Sequence, residues 1–378
     1  MRSKIASDRV SRNPNESTDN SVLIVGGYGQ VGQVITRGLS KSLPIELIVA
    51  GRSLRRATNF SNQFDRNVVP VRLDLDNLSN VDELLKNVQL VIMCTDQTNL
   101  DLVARCMNLG IHYVDITASI GFIRTVEALN ADARRSGAVA VLSVGLSPGL
   151  TNLLAKRCKS RVPDLKFVDI FLVLGLGDVH GDSAIDWMLE NLNSRYSVME
   201  KGKPKSVGSF LEYKKTTFPG ENKEQRAYRF NFSDQHVVAR TLQVSSVSTW
   251  LSFTSPVAGW FIYLLRKTGV SRLFDWPLIR QLSLKALKAL RFGSRRFSVK
   301  AEAGVDRKKG CEFECSVSGS GEARVTGLIA VKVAEQLLSS SLPPGVFHIE
   351  ELFDLNQFVD ELEEYQIRET TVLKQRSV

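Results

Sequence analysis

A continuous apolar run, Val22-Leu23-Ile24-Val25, meets the glycines of GGYGQVG and passes into a helical pattern at Val31, Val34, Ile35 and Leu39. This strand-turn-helix constrains the fold more than any other stretch of the chain. Apolar residues without alternation suit a parallel strand covered on both faces. Gly27, Gly29 and Gly32 then stand at the G-x-G-x-x-G spacing. The first allows a tight turn, the second lets a diphosphate approach the backbone, and the third lets the helix pack close to the strand. The helix start adds open amide donors and positive potential. The spacing alone also fits glycine-rich turns of other α/β proteins. Its position between a buried strand and an amphipathic helix selects a dinucleotide, with Gly27, Tyr28, Gly29, Gln30, Val31 and Gly32 as candidate contacts.

A second strand at residues 45–50 (IELIVA) ends about 20 residues past the glycines, where an acid would hold the ribose of NAD. No acid follows it. Gly51-Arg52-Ser53 does, with Arg55 and Arg56 a turn later. A guanidinium and a hydroxyl suit a 2′-phosphate, which a carboxylate would repel. Arg52 and Ser53 therefore favour NADP(H) over NAD(H), while Arg55 and Arg56 also fit a solvated helix face.

Strand patterns recur at 68–73, 90–94, 112–116 and 138–142, with helices near 81–86, 100–109 and 122–136 and with Gly110 and Gly137 as C-caps. Strands separated by helices make a doubly wound parallel α/β sheet, a Rossmann domain. Its ligands lie at the C-terminal strand ends, which brings Asp74, Leu75, Cys94, Thr95 and Thr117 toward one crevice. Asp74 suits either the adenine amino group or a strand-to-helix cap. A chain of 378 residues exceeds one such core, so a second domain is expected.

Residues 1–20 are polar and without apolar periodicity, which predicts a disordered tail and no secretory signal. Five scattered cysteines without a CxxC, and four histidines, support neither a disulfide framework nor a metal site. Cys311 and Cys315 read as packed thiols on one strand face, and a reducing, cytoplasmic location fits. The formal charge of +9 is local: residues 266–300 hold ten Lys/Arg against Asp275 alone.

Several stretches resemble the saccharopine dehydrogenase family: LIVGGYGQVG, the GRS after the second strand, HYVDITA, VGLSPGLTNLLAK, and SGSGEARVTGLIAVKVAEQLL with LPPGVFHIEELFD. The likeness spans roughly residues 21–360. It implies NADP(H) or NAD(H) in a Rossmann domain and hydride transfer to or from a C–N bond of an amino-acid-derived imine or secondary amine. It further implies that residues 149–321 build an inserted mixed α/β domain. Residues 322–378 then return to the Rossmann domain of residues 21–148, beginning with a helix. The runs FVDIFLVLG, 298–303 and 311–318 read independently as strands of that second sheet. One departure concerns Ser147, where saccharopine reductases commonly carry an acid. Ser147 still suits the nicotinamide pocket, or else a plain boundary turn.

Asp96, Tyr113 and Asp115 are the candidate catalytic residues, since an acid near the nicotinamide favours a cationic iminium. Asp96 also suits a helix cap, and Tyr113 and Asp115 a structural role. The Tyr-x-x-x-Lys spacing at Tyr263 and Lys267 falls beyond the last Rossmann strand and reads as chance. His180, Asp182, Trp187, Asp234, His236 and Arg240 suit substrate contact, surface or packing.

Residues 241–265 carry no charge, and the stretch TWLSFTSPVAGWFIYLLRK approaches spanning length, though Pro256 and Gly259 weaken that reading. Buried helices of the second domain, a membrane-surface contact and a subunit contact all fit. Residues 277–292 set Leu278 and Leu282 against Arg280, Lys285, Lys288 and Arg291, the composition of a helix on anionic lipid or of an ordinary amphipathic helix. No nucleic-acid motif accompanies the charge. The expected partners are a small-molecule substrate, an anionic membrane through residues 266–300, and a second copy. The competing function is a non-catalytic NADP(H) sensor or a scaffold at a membrane surface.

Overall fold

The computed structural model describes residues 20–371, apart from 66, 80, 176, 178–181 and 290–293. The expected tail at 1–19 and His180 lie outside the described residues, and the side chain of Asp182 is not described. The first six strands are β1 (Ser21–Val25), β2 (Glu46–Gly51), β3 (Val68–Arg72), β4 (Val88–Met93), β5 (His112–Asp115) and β6 (Val139–Leu142). They pair in the order β6-β5-β4-β1-β2-β3, every pair parallel. Helices α1 (Gln30–Ser42), α2 (Leu54–Ser61), α3 (Val81–Leu85), α4 (Asp101–Leu109), α5 (Ile120–Glu127) and α6 (Asn130–Ser136) connect them. Val22 to Val25 are fully buried, which is why β1 shows no alternation. Gly110 and Gly137 end α4 and α6 in the left-handed conformation.

One local expectation fails. The single helix at 122–136 is instead α5 and α6, broken at Ala128 and Leu129. The break lets Asn130 Oδ1 accept the Val346 backbone N–H at 2.9 Å, tying α6 to a strand from the far end of the chain.

Beyond β6 come α7 (Thr151–Arg161), β7 (Phe167–Leu174), α8 (Asp182–Leu192), the hairpin β8 (Arg195–Glu200) and β9 (Lys203–Gly208), β10 (Tyr213–Thr216), β11 (Gln225–Arg229) and α9 (Asp234–Thr241). Then follow β12 (Ser246–Phe253), α10 (Pro256–Thr268), α11 (Pro277–Ala289), β13 (Arg296–Gly304), β14 (Phe313–Ser320), α12 (Glu322–Ser339), β15 (Gly345–His348) and β16 (Gln366–Thr371). A second, mixed sheet runs β10-β11-β12-β7-β13-β14-β16, parallel only between β12 and β7. The three strand runs read from the sequence stand side by side in it as β7, β13 and β14. The C-terminal segment divides: β15 extends the first sheet beside β6, and β16 pairs with β14 in the second.

The apolar stretch reads differently in three dimensions. It splits at Ser255 into the buried strand β12 and α10, whose outer face is exposed at Val257, Trp260, Phe261 and Leu264. The buried-helix expectation is therefore corrected: the first half is a buried strand, and the helix that Pro256 starts buries only one face, with Ala258, Ile262 and Tyr263 packed on the core.

Helix α12 returns to the first domain by packing on α1 through two reciprocal pairs. A Cβ at Gly327 would lie 2.6 Å from Val34, and one at Gly38 would lie 2.6 Å from Val331. Each valine fills the space its opposing glycine leaves open. Gly327→Val should lower unfolding free energy by about 1–3 kcal/mol through overpacking, read by urea titration. An unchanged midpoint would contradict this packing.

Candidate functional site

The glycine turn is crowded by backbone. Gly26 takes φ +80, and its N–H donates to Ala50 O at 2.8 Å. Gly29 N–H in turn donates to Gly26 O at 2.8 Å. The left-handed turn thus falls at Gly26, one residue before the glycine expected to make it. A Cβ at Gly32 would sit 2.2 Å from Gly26 O and 2.6 Å from Gly27 Cα, so α1 begins against the turn itself. Gly29 is the N-cap of α1 and makes no side-chain cap, and the first turn holds no acid. The amides that begin α1 have no intrahelical acceptors and no side-chain cap, which fits a diphosphate.

Tyr28 leans from this turn onto the end of β2. Its hydroxyl accepts the Ser53 backbone N–H at 3.1 Å, and the Arg56 guanidinium stacks 4.9 Å from its ring centroid. Gly51 is required beneath it, since a Cβ there would lie 2.4 Å from the Tyr28 hydroxyl. Ser53 caps α2, its Oγ accepting the Arg56 N–H at 3.3 Å, which leaves the hydroxyl proton available to a ligand. Arg52 is exposed and makes no ion pair among the described residues. The residues at this strand end fit a 2′-phosphate: two guanidinium groups, a hydroxyl and a helix N-terminus, with no carboxylate.

At the neighbouring strand ends, Asp74 is half-buried and its Oδ1 accepts the Asp76 N–H at 3.2 Å, a turn rather than a helix cap. Leu75 O accepts from Asn99 Nδ2 at 3.4 Å. Cys94 closes β4 under the glycine turn: a Cβ on Gly26 would meet its carbonyl oxygen at 3.0 Å. Burial, then the nearby Asp115, push its thiol pKa up. Thr95 and Asp96 are exposed, and α4 starts later with Leu100 as N-cap, so Asp96 caps no helix.

Tyr113 and Asp115 share one face of β5. The Tyr113 hydroxyl donates to Asp115 Oδ2 at 2.6 Å, Gln97 Nε2 donates to both, and Asp115 Oδ1 accepts the Thr117 N–H at 2.7 Å. Both are buried. Burial pushes the Asp115 carboxyl up to about 6 against the opposing effect of its hydrogen bonds. Gln97, which completes this group, carried no signal in the sequence beyond its place after β4.

A second polar group joins the two domains where the chain leaves β6. Ser147 Oγ donates to Asp234 Oδ2 at 2.8 Å, and Thr249 Oγ1 donates to Asp234 Oδ1 at 2.6 Å. Asp234 is fully buried, and burial raises its pKa against these donors. Thr326 Oγ1 of α12 accepts the Leu146 N–H at 3.2 Å, holding the loop from its other side. Asn152 receives the Gly149 N–H and donates to the buried Glu350, which also accepts from Thr241. His348 is held between Ser143 Oγ at 2.8 Å and Glu127 Oε1 at 2.9 Å, and Arg240 pairs with the same glutamate. Burial acts to raise the Glu127 pKa, but the hydrogen bonds from His348 and Arg240 prevail and hold it at about 2. Of the second-domain candidates, Asp234 and Arg240 thus meet the first domain. Trp187 packs against Phe230 and Phe232, and His236 bonds Asn231 Oδ1.

Residues 22–141 match the family described as saccharopine dehydrogenase NADP binding domain. No curated protein matches the chain in sequence. Among solved structures, apo saccharopine dehydrogenase (L-Glu forming) from Saccharomyces cerevisiae superposes with a TM-score of 0.65 at 15% identity, covering 93% of this chain and 100% of that one. A myo-inositol dehydrogenase from Corynebacterium glutamicum reaches a TM-score of 0.41 at 12% identity, over 84% of this chain and 88% of that one, too remote to bear on the site. The saccharopine dehydrogenase resemblance therefore holds in sequence across the first domain, which is of the NADP-binding type, and in fold along the chain.

Asp115 gives a pH-dependent test. Its folded pKa is raised, so its contribution to stability is fully present below the unfolded value near 4 and is lost as pH rises through about 6. Asp115→Asn removes that cost, so its melting temperature should exceed the parent's at pH 8 and the gap should close toward pH 4. A gap independent of pH would mean that Asp115 is not buried as an acid.

Proposed function

We propose that the chain is an NADP(H)-dependent oxidoreductase that moves a hydride between the nicotinamide and a C–N bond, an imine or secondary amine, or a related carbonyl-derived carbon of a small molecule. The observation that carries the cofactor half is the end of β2, where Ser53 and Arg56 contact Tyr28, Arg52 stands exposed beside them and no acid follows the strand. Gly26 to Gly32 would hold the diphosphate, Arg52 and Ser53 the 2′-phosphate, and Asp74 the adenine edge through its remaining carboxylate oxygen. Thr95, Thr117 and the loop at Ser147 would border the nicotinamide. Bound there, the dinucleotide supplies or accepts the hydride.

The substrate half rests on Ser147. Its proton is committed to Asp234, so toward the crevice the oxygen can act only as an acceptor. An acceptor there suits the N–H of an iminium and stabilises its positive charge as it passes to or from the amine. Asp234 is buried and positions Ser147 rather than touching substrate. An acid commonly found in this loop in the resembled family is here replaced by a serine backed by an acid from α9. Asp115, held by Tyr113, Gln97 and the Thr117 N–H, fixes the β5 end of the crevice. The exposed Asp96 adds negative charge near it.

Three measurements test this reading. Arg52→Asp should weaken NADPH binding by roughly 10- to 100-fold and leave NADH nearly unchanged, by calorimetry. Equal loss for both would refute the 2′-phosphate contact. Ser147→Ala should lower kcat by roughly tenfold or more on imine substrates while NADPH affinity stays as it was. If the parent binds NADPH but oxidises none of it against a panel of imines and carbonyl compounds, the oxidoreductase reading fails.

A further inference from the structure

Fourteen large hydrophobic side chains are exposed among the described residues, and nine of them lie between Val257 and Leu282. Scattered exposed apolar residues are ordinary; this concentration in one segment is not. The exposed positions on α10 are Val257, Trp260, Phe261 and Leu264, a single helical stripe. A 3-10 turn at Val270–Asp275 follows and exposes Val270 and Leu273. Trp276, Leu278 and Leu282 continue the exposure along α11. The turn packs against both helices, so the three exposed pieces adjoin one another.

Each helix leaves an apolar stripe exposed while a cation on it points to the protein. On α11, Arg280 faces the protein and pairs with Asp186 and Glu190 of α8, both at 2.6 Å, while Leu278 is 70% and Leu282 57% exposed. On α10, Arg266 turns inward to donate to the carbonyls of Ser209 and Asn193. The inner face of α10 is apolar too, with Ala258, Ile262 and Tyr263 packed on the core, so that helix is apolar on both faces and its outer stripe is left exposed. Lys267, Arg272 and Lys285 remain exposed beside the stripes, and the one acid in the segment, Asp275, accepts from Asn193.

We infer that α10, the 3-10 turn and α11 seat the protein on a membrane surface rich in anionic lipid, with Trp260, Phe261, Trp276 and Leu278 entering the headgroup boundary. Two exposed tryptophans beside lysine and arginine suit the interface, where the indole is wetted at one edge only. Among the described residues no helix is long and apolar enough to cross a membrane. A second copy of this chain is a poorer occupant. A two-fold contact through this patch would set Lys267, Arg272 and Lys285 against themselves, whereas phosphatidylserine headgroups neutralise them.

Flotation with phosphatidylcholine vesicles, and with vesicles holding about 30 mol% phosphatidylserine at low salt, tests the inference. The parent should float with the anionic vesicles, with Trp fluorescence shifting to the blue. Trp260→Ser/Phe261→Ser/Trp276→Ser should cut the bound fraction roughly tenfold. Lys267→Glu/Arg272→Glu/Lys285→Glu should lose on the order of a hundredfold in preference for anionic over neutral vesicles. NADPH affinity, measured on each variant, should equal the parent's, which shows that the fold survives and separates this result from the cofactor reading. Absence of flotation by the parent, or flotation unaltered in both variants, would overturn the proposal. So would a dimer in ultracentrifugation that the aromatic variant dissociates.

Discussion

No side chain fits between the first strand and the first helix. Gly26 must turn with a positive φ beneath the carbonyl of Cys94, and Gly32 must bring α1 against the turn's own backbone. The other features of the first domain depend on this contact. It leaves the first α1 amides without a side-chain cap, sets Tyr28 across the end of β2, and orients the face of α1 on which α12 packs. The glycine turn meets the start of α1 at Gly32, and α12 packs on the same short helix at Val34 and Gly38. A Cβ at Gly32 would disturb both.

The first domain was legible because parallel strands buried on both faces appear as uninterrupted apolar runs, and glycines mark the helix ends. The shift from an acid to Gly51-Arg52-Ser53 after β2 was also a local signal, readable without knowing what lay nearby. Tyr28 was only a position within the motif. That its hydroxyl reaches across to the Ser53 amide follows from the β1–β2 register, which no local pattern encodes. The helix break at Ala128 was hidden for a similar reason, since Asn130 just after it bonds Val346, 216 residues away.

The polar joint between the domains was the least legible part. Ser147 and Asp234 are 87 residues apart, and Ser143 and His348 are 205 apart. Each alone is an ordinary polar residue, and burial in a shared junction is what makes them costly to leave unpaired. The outward-facing segment between Val257 and Leu282 shows the complementary limit. Its amphipathic period could be read, but not which stripe faces the protein. On α11 the acids of α8 that pair with Arg280 turn it inward, and they lie almost a hundred residues earlier.

The account centres on a 2′-phosphate held at the end of β2, and the most direct measurement isolates that group from the rest of the dinucleotide. Calorimetric titration of the full chain with adenosine 2′,5′-bisphosphate and with adenosine 5′-monophosphate compares ligands that differ only there. The bisphosphate should bind roughly tenfold tighter or more, with an advantage that falls as salt is raised. Equal affinities, or a preference for the monophosphate, would contradict the account.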